Sequence, residues 1–286
     1  MADENRLSEI AVVYGGMEKS GLYAVTAAAN AVAAKCGKLL AVQVRIEYPI
    51  KMEKARIYGM LKPIRAFCRE RGIELAEEGI SPSPVVSRVM TVAVVSGEKS
   101  GKTGSESKSV RPGQEILVTK WIGLGGTARL LWECGERLKN HFPLRFLKQT
   151  EEMESLIFAG EDAMIANQAG AELMIPVAEG GILAALWQLA KTAGRGFSVD
   201  MKALPIRQET VEICEYLELN PYQLTGAGSL LIVAKEGQNM AEYLRKRGIP
   251  AVCAGCLTEG QGKILHNGEE IRYLDRPAPD EILKIF

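Results

Sequence analysis

Residues 176–229, PVAEGGILAALWQLAKTAGRGFSVDMKALPIRQETVEICEYLELNPYQLTGAGS, constrain this chain more than any other stretch. Glu179-Gly180-Gly181 opens an amphipathic helix, Gly194-Arg195-Gly196 closes it, and Gly226-Ala227-Gly228 precedes an apolar strand. Glycine supplies the left-handed backbone that helix ends and tight turns require. Strands and helices punctuated in this way stack into layers, with helices covering a sheet.

The same alternation runs through the rest of the chain. The spacing predicts strands over 10–14, 39–46, 73–75 and 89–95, and a small-residue helix over 22–36 that Gly37 ends. A second amphipathic helix is expected over 51–71, stopped by Gly72. Further strands are expected over 115–119, 172–175, 197–199, 229–234 and 251–253, and helices over 126–139, 150–158, 161–169, 182–193, 207–217 and 239–247. Residues 263–264 and 270–273, joined through Asn267-Gly268, read as a terminal hairpin.

Residues 97–113 are rich in Gly, Ser and Lys, and Val110 is their one apolar residue. They read as a solvated hinge between two units, 1–108 and 109–286, with Pro112-Gly113 marking re-entry. The fold class is therefore a two-domain mixed α/β protein. Gly97-Glu98-Lys99-Ser100-Gly101-Lys102-Thr103 imitates a phosphate-binding P-loop, but the glycines stand one residue too close together and no apolar helix follows.

Composition removes some function classes. The 286 residues hold 35 Lys plus Arg against 35 Asp plus Glu, so no overall field favours nucleic acid or a membrane. No run approaches the roughly 20 apolar residues of a membrane-spanning helix. No basic segment leads into an apolar run at the start, so a cytoplasmic protein is expected. The six cysteines are thinly spread, unlike a secreted disulfide framework.

Beside the loop 97–113, three places could carry chemistry. In WIGLGGTARLLWE (121–133) a strand gives way to glycines and then a helix. The free amides of a helix start bind phosphate or carboxylate, so Gly123, Gly125, Gly126 and Thr127, with Lys120 beside them, form a candidate anion site. A tight turn with no ligand fits the same residues. Glu179 before Gly180 and Gly181 is either a catalytic carboxylate or a residue placed beside the positive helix end, followed by close-packing glycines. Cys253 and Cys256 form a CxxC that could be half a zinc site, a redox pair, or simple strand packing. His141 and His266 have no acid at a telling spacing.

Taken together, TKWIGLGGTARLL (119–131), EGGILAALW (179–187), PIRQET (205–210), LELNPYQLTGAGSLLI (217–232) and AGCLTEG (254–260) resemble the aminoimidazole-ribonucleotide (AIR) synthase superfamily. That superfamily also contains the hydrogenase-maturation carbamoyl dehydratase, thiamine-monophosphate kinase and selenophosphate synthetase. The resemblance is strongest to AIR synthase-related proteins of the hydrogenase-maturation branch. Residues 11–37, AVVYGGMEKSGLYAVTAAANAVAAKCG, are similar to that family's second strand and its Ala/Asn-rich helix, which carries Asn30. The resemblance implies a homodimer whose N-terminal sheets pair into a barrel, with ATP and magnesium in a neighbouring cleft.

The departures matter as much. Ala31 follows Asn30 where the family carries Asp, Gly15-Gly16 and residues 79–84 stand where further acids are expected, and Pro176 takes a place the family gives to Asp. The Gly-Asp-Asp-Ala segment of the family has no counterpart, and residues 279–286 lack the cysteine-bearing tail of the hydrogenase-maturation branch, which points away from a carbamoyl thioester at that place. Hard cations need oxygen ligands, so these changes point away from metal-assisted phosphoryl transfer. No resident metal and no firm cofactor are expected. The reading is a degenerate homodimer that binds a small anionic ligand or a partner protein, and neither nucleic acid nor a membrane. The alternative is an ATP-dependent enzyme that phosphorylates an amide or carboxylate oxygen, with Glu18, Glu47 or Glu78 supplying magnesium.

Overall fold

The computed structural model describes residues 5–16, 18–100 and 110–286. It divides into two compact units, Met1–Gly101 and Lys102–Phe286. The first unit contains β1 (Arg6–Gly15), α1 (Ser20–Ala34), β2 (Gly37–Pro49), α2 (Lys54–Gly59), α3 (Leu61–Arg71), β3 (Glu74–Ser83) and β4 (Val89–Lys99). Its four strands lie in the order β1-β4-β2-β3. One face of this sheet, including Val13, Val42, Val44, Ile46, Ala93 and Val95, is buried. α1 packs against β1, β2 and β4. Its small side chains allow that close approach, and at Gly21 a Cβ would stand 2.6 Å from Ile64 Cδ1 of α3.

Several boundaries differ from the sequence expectation, each for a local reason. α1 ends at Ala34, and Cys36 (φ 57°) rather than Gly37 takes the left-handed turn, so Gly37 begins β2. The helix expected over 51–71 is broken into α2 and α3. Pro63 cannot donate to Gly59, the carbonyl four residues back, so an unbroken helix would lose that bond. Gly72 does stop α3, at φ 63°. Residues 79–83, where no strand is expected, pair parallel with β2 from Arg45↔Gly79 to Pro49↔Ser83. β3 is an edge strand, which is where a proline such as Pro82 is tolerated. Residues 97–99 of the expected hinge belong to β4, and 101–109, including Gly101-Lys102-Thr103 of the P-loop-like segment, lie outside the described residues.

The second unit contains β5 (Glu115–Thr119), α4 (Leu124–Glu133), α5 (Gly135–His141), α6 (Leu144–Glu152), α7 (Gly160–Gln168), β6 (Leu173–Pro176), α8 (Gly181–Ala193), β7 (Gly196–Asp200), α9 (Gln208–Tyr216), β8 (Leu230–Ala234), α10 (Gly237–Arg245), β9 (Ala251–Thr258), β10 (Lys263–Asn267) and β11 (Glu270–Tyr273). Its strands form one mixed sheet in the order β11-β10-β7-β9-β5-β8-β6. The hairpin expected at the end is present, with Asn267↔Glu270 flanking Gly268 at φ 67°. The helix expected over 126–139 is two helices, starting at Leu124 and interrupted at Cys134.

α8 carries its apolar residues at helical spacing: Ile182, Ala185, Leu186, Leu189, Ala190 and Ala193. They pack with Ile116, Val118, Phe197, Val199 and Val233 of the sheet. Each fully buried Leu or Ile there contributes about 1.5–3 kcal/mol. That packing fixes the start of α8, and so the position of Glu179-Gly180-Gly181.

Candidate functional site

Three glycine turns that are far apart in sequence meet at one end of the second sheet. The turn after β5 leads into α4, the turn after β6 leads into α8, and residues 220–229 lie over both helix starts. Gly126 N donates to Thr225 O (2.7 Å), Gly226 N to Ala178 O (3.4 Å), and Ser229 Oγ to Trp121 O (2.7 Å). The glycines are what permit this approach. A Cβ on Gly126 would stand 2.4 Å from Leu224 Cγ and 2.8 Å from Thr225 O, and one on Gly125 2.7 Å from Ala227 Cβ. Gly181 (φ 67°) faces Tyr222 O at 2.6 Å in the same sense. Gly194–Gly196 lies apart from this meeting point, and a Cβ at Gly196 would touch Gly262 O at 2.3 Å.

The candidate anion site at the start of α4 is therefore occupied by the chain itself. Gly123, Gly125, Gly126 and Thr127 are all buried. Thr127 Oγ1 donates to Gly123 O (2.8 Å) and lies 3.0 Å from Thr210 Oγ1, so its hydroxyl is used internally. Lys120 was expected to lend charge to this turn, and its ammonium is committed elsewhere. It donates to Leu156 O (3.0 Å) and Phe158 O (3.2 Å), and pairs with Asp162 Oδ2 at 2.9 Å. Both members of that pair are buried, and burial holds the Asp162 carboxyl above its ordinary range despite the adjacent ammonium. The tight-turn reading accounts for these residues.

At the start of α8 the occupant is a side chain. Asp280, 3% exposed, accepts Gly180 N (2.8 Å), Thr225 N (3.3 Å) and Ile282 N (3.0 Å). An Asp before an apolar run is an ordinary cap for the short 3-10 helix Glu281–Ile285. Asp280 is not singled out from the sequence, and the two bonds reaching Gly180 and Thr225 have no local signal. Glu281 adds a bond from Asn220 N (3.0 Å), and Ile282 packs with Leu130, Leu138, Ile213 and Leu224.

Glu179 is an exposed residue whose carboxyl is partly covered. Partial burial of its carboxyl and the nearby Asp280 carboxylate raise its pKa above the ordinary glutamate value, while Arg129 opposes the shift. Asp280 is also raised, by burial, against the three amides and Arg129 that favour its charged form. Arg129 stands 3.6 Å from Glu133 and 5.3 Å from the ring of Phe286. Glu179, Asp280 and Arg129 thus form one electrostatic cluster, of which the sequence had singled out only Glu179.

The remaining candidates lie apart. Asn30 is 2% exposed within α1 of the first unit. Glu78 there is held by both ends of the Arg65 guanidinium, and Glu47 stands 3.9 Å from Arg45. Cys253 and Cys256 lie within β9 rather than after it. His266 Nε2 meets Ser198 Oγ at 2.9 Å, and His141 stacks on Tyr216. A cleft of about 680 Å³ beside α4, α5 and α6 is lined by Trp132, Leu144, Leu147 and Ile285 and by none of these candidates. With Lys120 paired to Asp162 and Glu78 to Arg65, these two residues as placed do not fit a magnesium–triphosphate group.

Comparison with known proteins places this geometry. Residues 111–267 match the model of the family described as AIR synthase related protein, C-terminal domain. The carbamoyl dehydratase HypE of Rhodobacter capsulatus is 31% identical over 163 residues, which are 56% of this chain and 44% of that protein, so the chain spans less than half of that relative. The crystal structure of E. coli HypE, a hydrogenase maturation protein, superposes with a TM-score of 0.78 at 16% identity, covering 97% of this chain and 87% of that one. The hydrogenase maturation protein HypE in complex with ATP gives 0.71 at 14% identity, covering 97% and 87%. The second unit, with its converging glycine turns, accounts for the match, and the chain belongs to the AIR synthase-related family.

Proposed function

We propose that this chain is a HypE-like protein of hydrogenase maturation that acts as a cytoplasmic homodimer. In this reading it binds a small anionic ligand or a partner protein and does not itself carry out ATP-dependent phosphoryl transfer. The observation that carries the reading is the filling of both helix starts by the chain's own atoms, Leu224 and Thr225 over α4 and the Asp280 carboxylate at Gly180. The likeness to HypE in fold supports the pathway.

The first unit supports the dimer. The sheet face opposite its buried side presents Ile10 (66% exposed), Val12 and Tyr14, whose register partners on β4 are Val94, Val92 and Met90. A contiguous apolar strip of this kind marks an interaction surface. Residues 1–108 would then supply the dimer sheet, and 109–286 the second domain.

A second reading keeps the enzyme. Glu179 is an exposed carboxyl whose pKa is raised, as a proton-transfer group requires, and a structural neighbour is a complex with ATP. Titration of magnesium-ATP into the full chain, followed by thermal unfolding, separates the two. A ligand at 100 times its Kd adds about 2.7 kcal/mol of stability. The non-catalytic reading expects no shift at millimolar ATP. Binding with hydrolysis that Glu179→Gln abolishes would overturn it.

A further inference from the structure

We propose that Cys253 and Cys256 form a two-thiol site for a soft monovalent d10 cation of the Cu(I) class, on the face of the second sheet opposite α8. In a regular strand, residues three apart point to opposite faces, and such a pair could not share a ligand. β9 is not regular. Leu117 pairs with Cys253, Ile116 with Gly255 and Glu115 with Cys256, which leaves Ala254 as the extra residue of a bulge. Leu117 and Glu115 are two apart on β5, so their partners Cys253 and Cys256 share one face. That face is the one turned away from α8, because Ile116 and Val118 alternate with them and pack beneath that helix.

The spacing then selects the chemistry. Their partners Leu117 and Glu115 stand two regular strand steps apart, about 6.8 Å, and the bulged cysteine pair spans about the same distance. Disulfides favour roughly 5.5–6 Å and reach about 6.8 Å only at their limit. A bridging metal ion with bonds of about 2.3 Å to each sulfur tolerates sulfurs about 4.6 Å apart, which suits the wider separation. Thiolates are soft ligands and select ions such as Cu(I).

The surroundings favour two ligands rather than four. Cys253 Sγ donates to Glu115 Oε1 (3.3 Å), and Glu115 Oε2 is already taken by Gly237 N (2.6 Å) and Gln238 N (3.2 Å). Ser198, opposite Cys256, engages His266. Among the described residues no three His, Cys, Asp or Glu side chains gather around one point, so a four-coordinate zinc centre has no donor set here. Both cysteines are half-buried, which leaves a path for the ion. Binding replaces the two S–H protons with one ion, gives a bis-thiolate of net charge −1, and releases two protons to solvent.

The test is anaerobic competition of the reduced full chain for Cu(I) held by a chromogenic chelator. Wild type should withdraw one equivalent, Cys253→Ser and Cys256→Ser should each bind roughly 100-fold more weakly or worse, and Cys36→Ser should match wild type. Tryptophan fluorescence checks that the variants fold. X-ray absorption on the loaded wild type, independent of any variant, should show two sulfur neighbours and no nitrogen. Failure of wild type to compete, uptake that survives either β9 substitution, loss of uptake in Cys36→Ser, or a four-coordinate spectrum would each overturn the proposal.

Discussion

Replacing Asp280 with Ala tests how the start of α8 is held. The substitution deletes the acceptor for three backbone amides, two of them in fully buried bonds, at Gly180 and Ile282. A buried donor left unsatisfied costs about 1–3 kcal/mol. The Thr225 bond is longer, at 3.3 Å, and only partly buried, so hydration recovers much of it. The carboxylate also favours the positive end of α8, by up to about 1 kcal/mol. Against these losses, truncation removes the burial cost that raises the Asp280 carboxyl. The net loss should be about 3 kcal/mol, or roughly 6–12 °C in Tm for a unit of this size. All three tryptophans, Trp121, Trp132 and Trp187, lie in the second unit, so their fluorescence follows its unfolding. Added inorganic phosphate should restore part of the loss in Asp280→Ala, because the vacated amides then face an anion. A variant that melts within 1 °C of wild type would show that these three bonds do not hold the turn.

Three further outcomes follow from the same geometry. Gly126→Ala should cost about 1–3 kcal/mol, because its Cβ overlaps Leu224 and Thr225; an unchanged melt together with lost phosphate stabilisation would instead make the turn an anion cradle. Lys120→Met should cost about 3–5 kcal/mol by leaving Asp162 buried without its ammonium, and a loss below about 1 kcal/mol in urea titration would refute a structural ion pair. The carboxyls of Asp162, Glu179 and Asp280 are all raised in the folded chain. The folded state therefore keeps their protons to higher pH than the unfolded state does. The stability they contribute is complete below the ordinary carboxylate range near pH 4 and is lost as pH rises through the raised values. Glu179→Gln, exposed and screened, should gain less than about 1 kcal/mol at pH 7 and flatten the dependence between pH 4 and 7; urea midpoints that fall at pH 7 with the wild-type slope retained would contradict this.

The positions of most elements were legible in the sequence because they rest on local physics. β5 was legible to the residue, α8 followed from its apolar spacing, and the terminal hairpin followed from Asn267-Gly268. Misplaced boundaries came from effects that composition does not display, such as the break before Pro63 and the sheet pairing that recruits residues 79–83 into β3. For the site, the sequence identified Glu179 and the glycines but not what stands against them. Asp280 lies 100 residues from Gly180, and Asp162 lies far along the chain from Lys120. No local pattern specifies such partners.

The sequence by itself determined the layered α/β architecture, its family and the three glycine turns, because helical period, strand alternation and glycine punctuation act over a few residues. Only the tertiary structure decided that the turns at 123–126, 179–181 and 226–228 converge while 194–196 lies apart, that amides at Gly126 and Gly180 are taken by Thr225 and Asp280, and that the bulge at Ala254 turns two cysteines to one face. These outcomes depend on which distant backbone and side-chain atoms are brought within hydrogen-bond distance, and packing sets that.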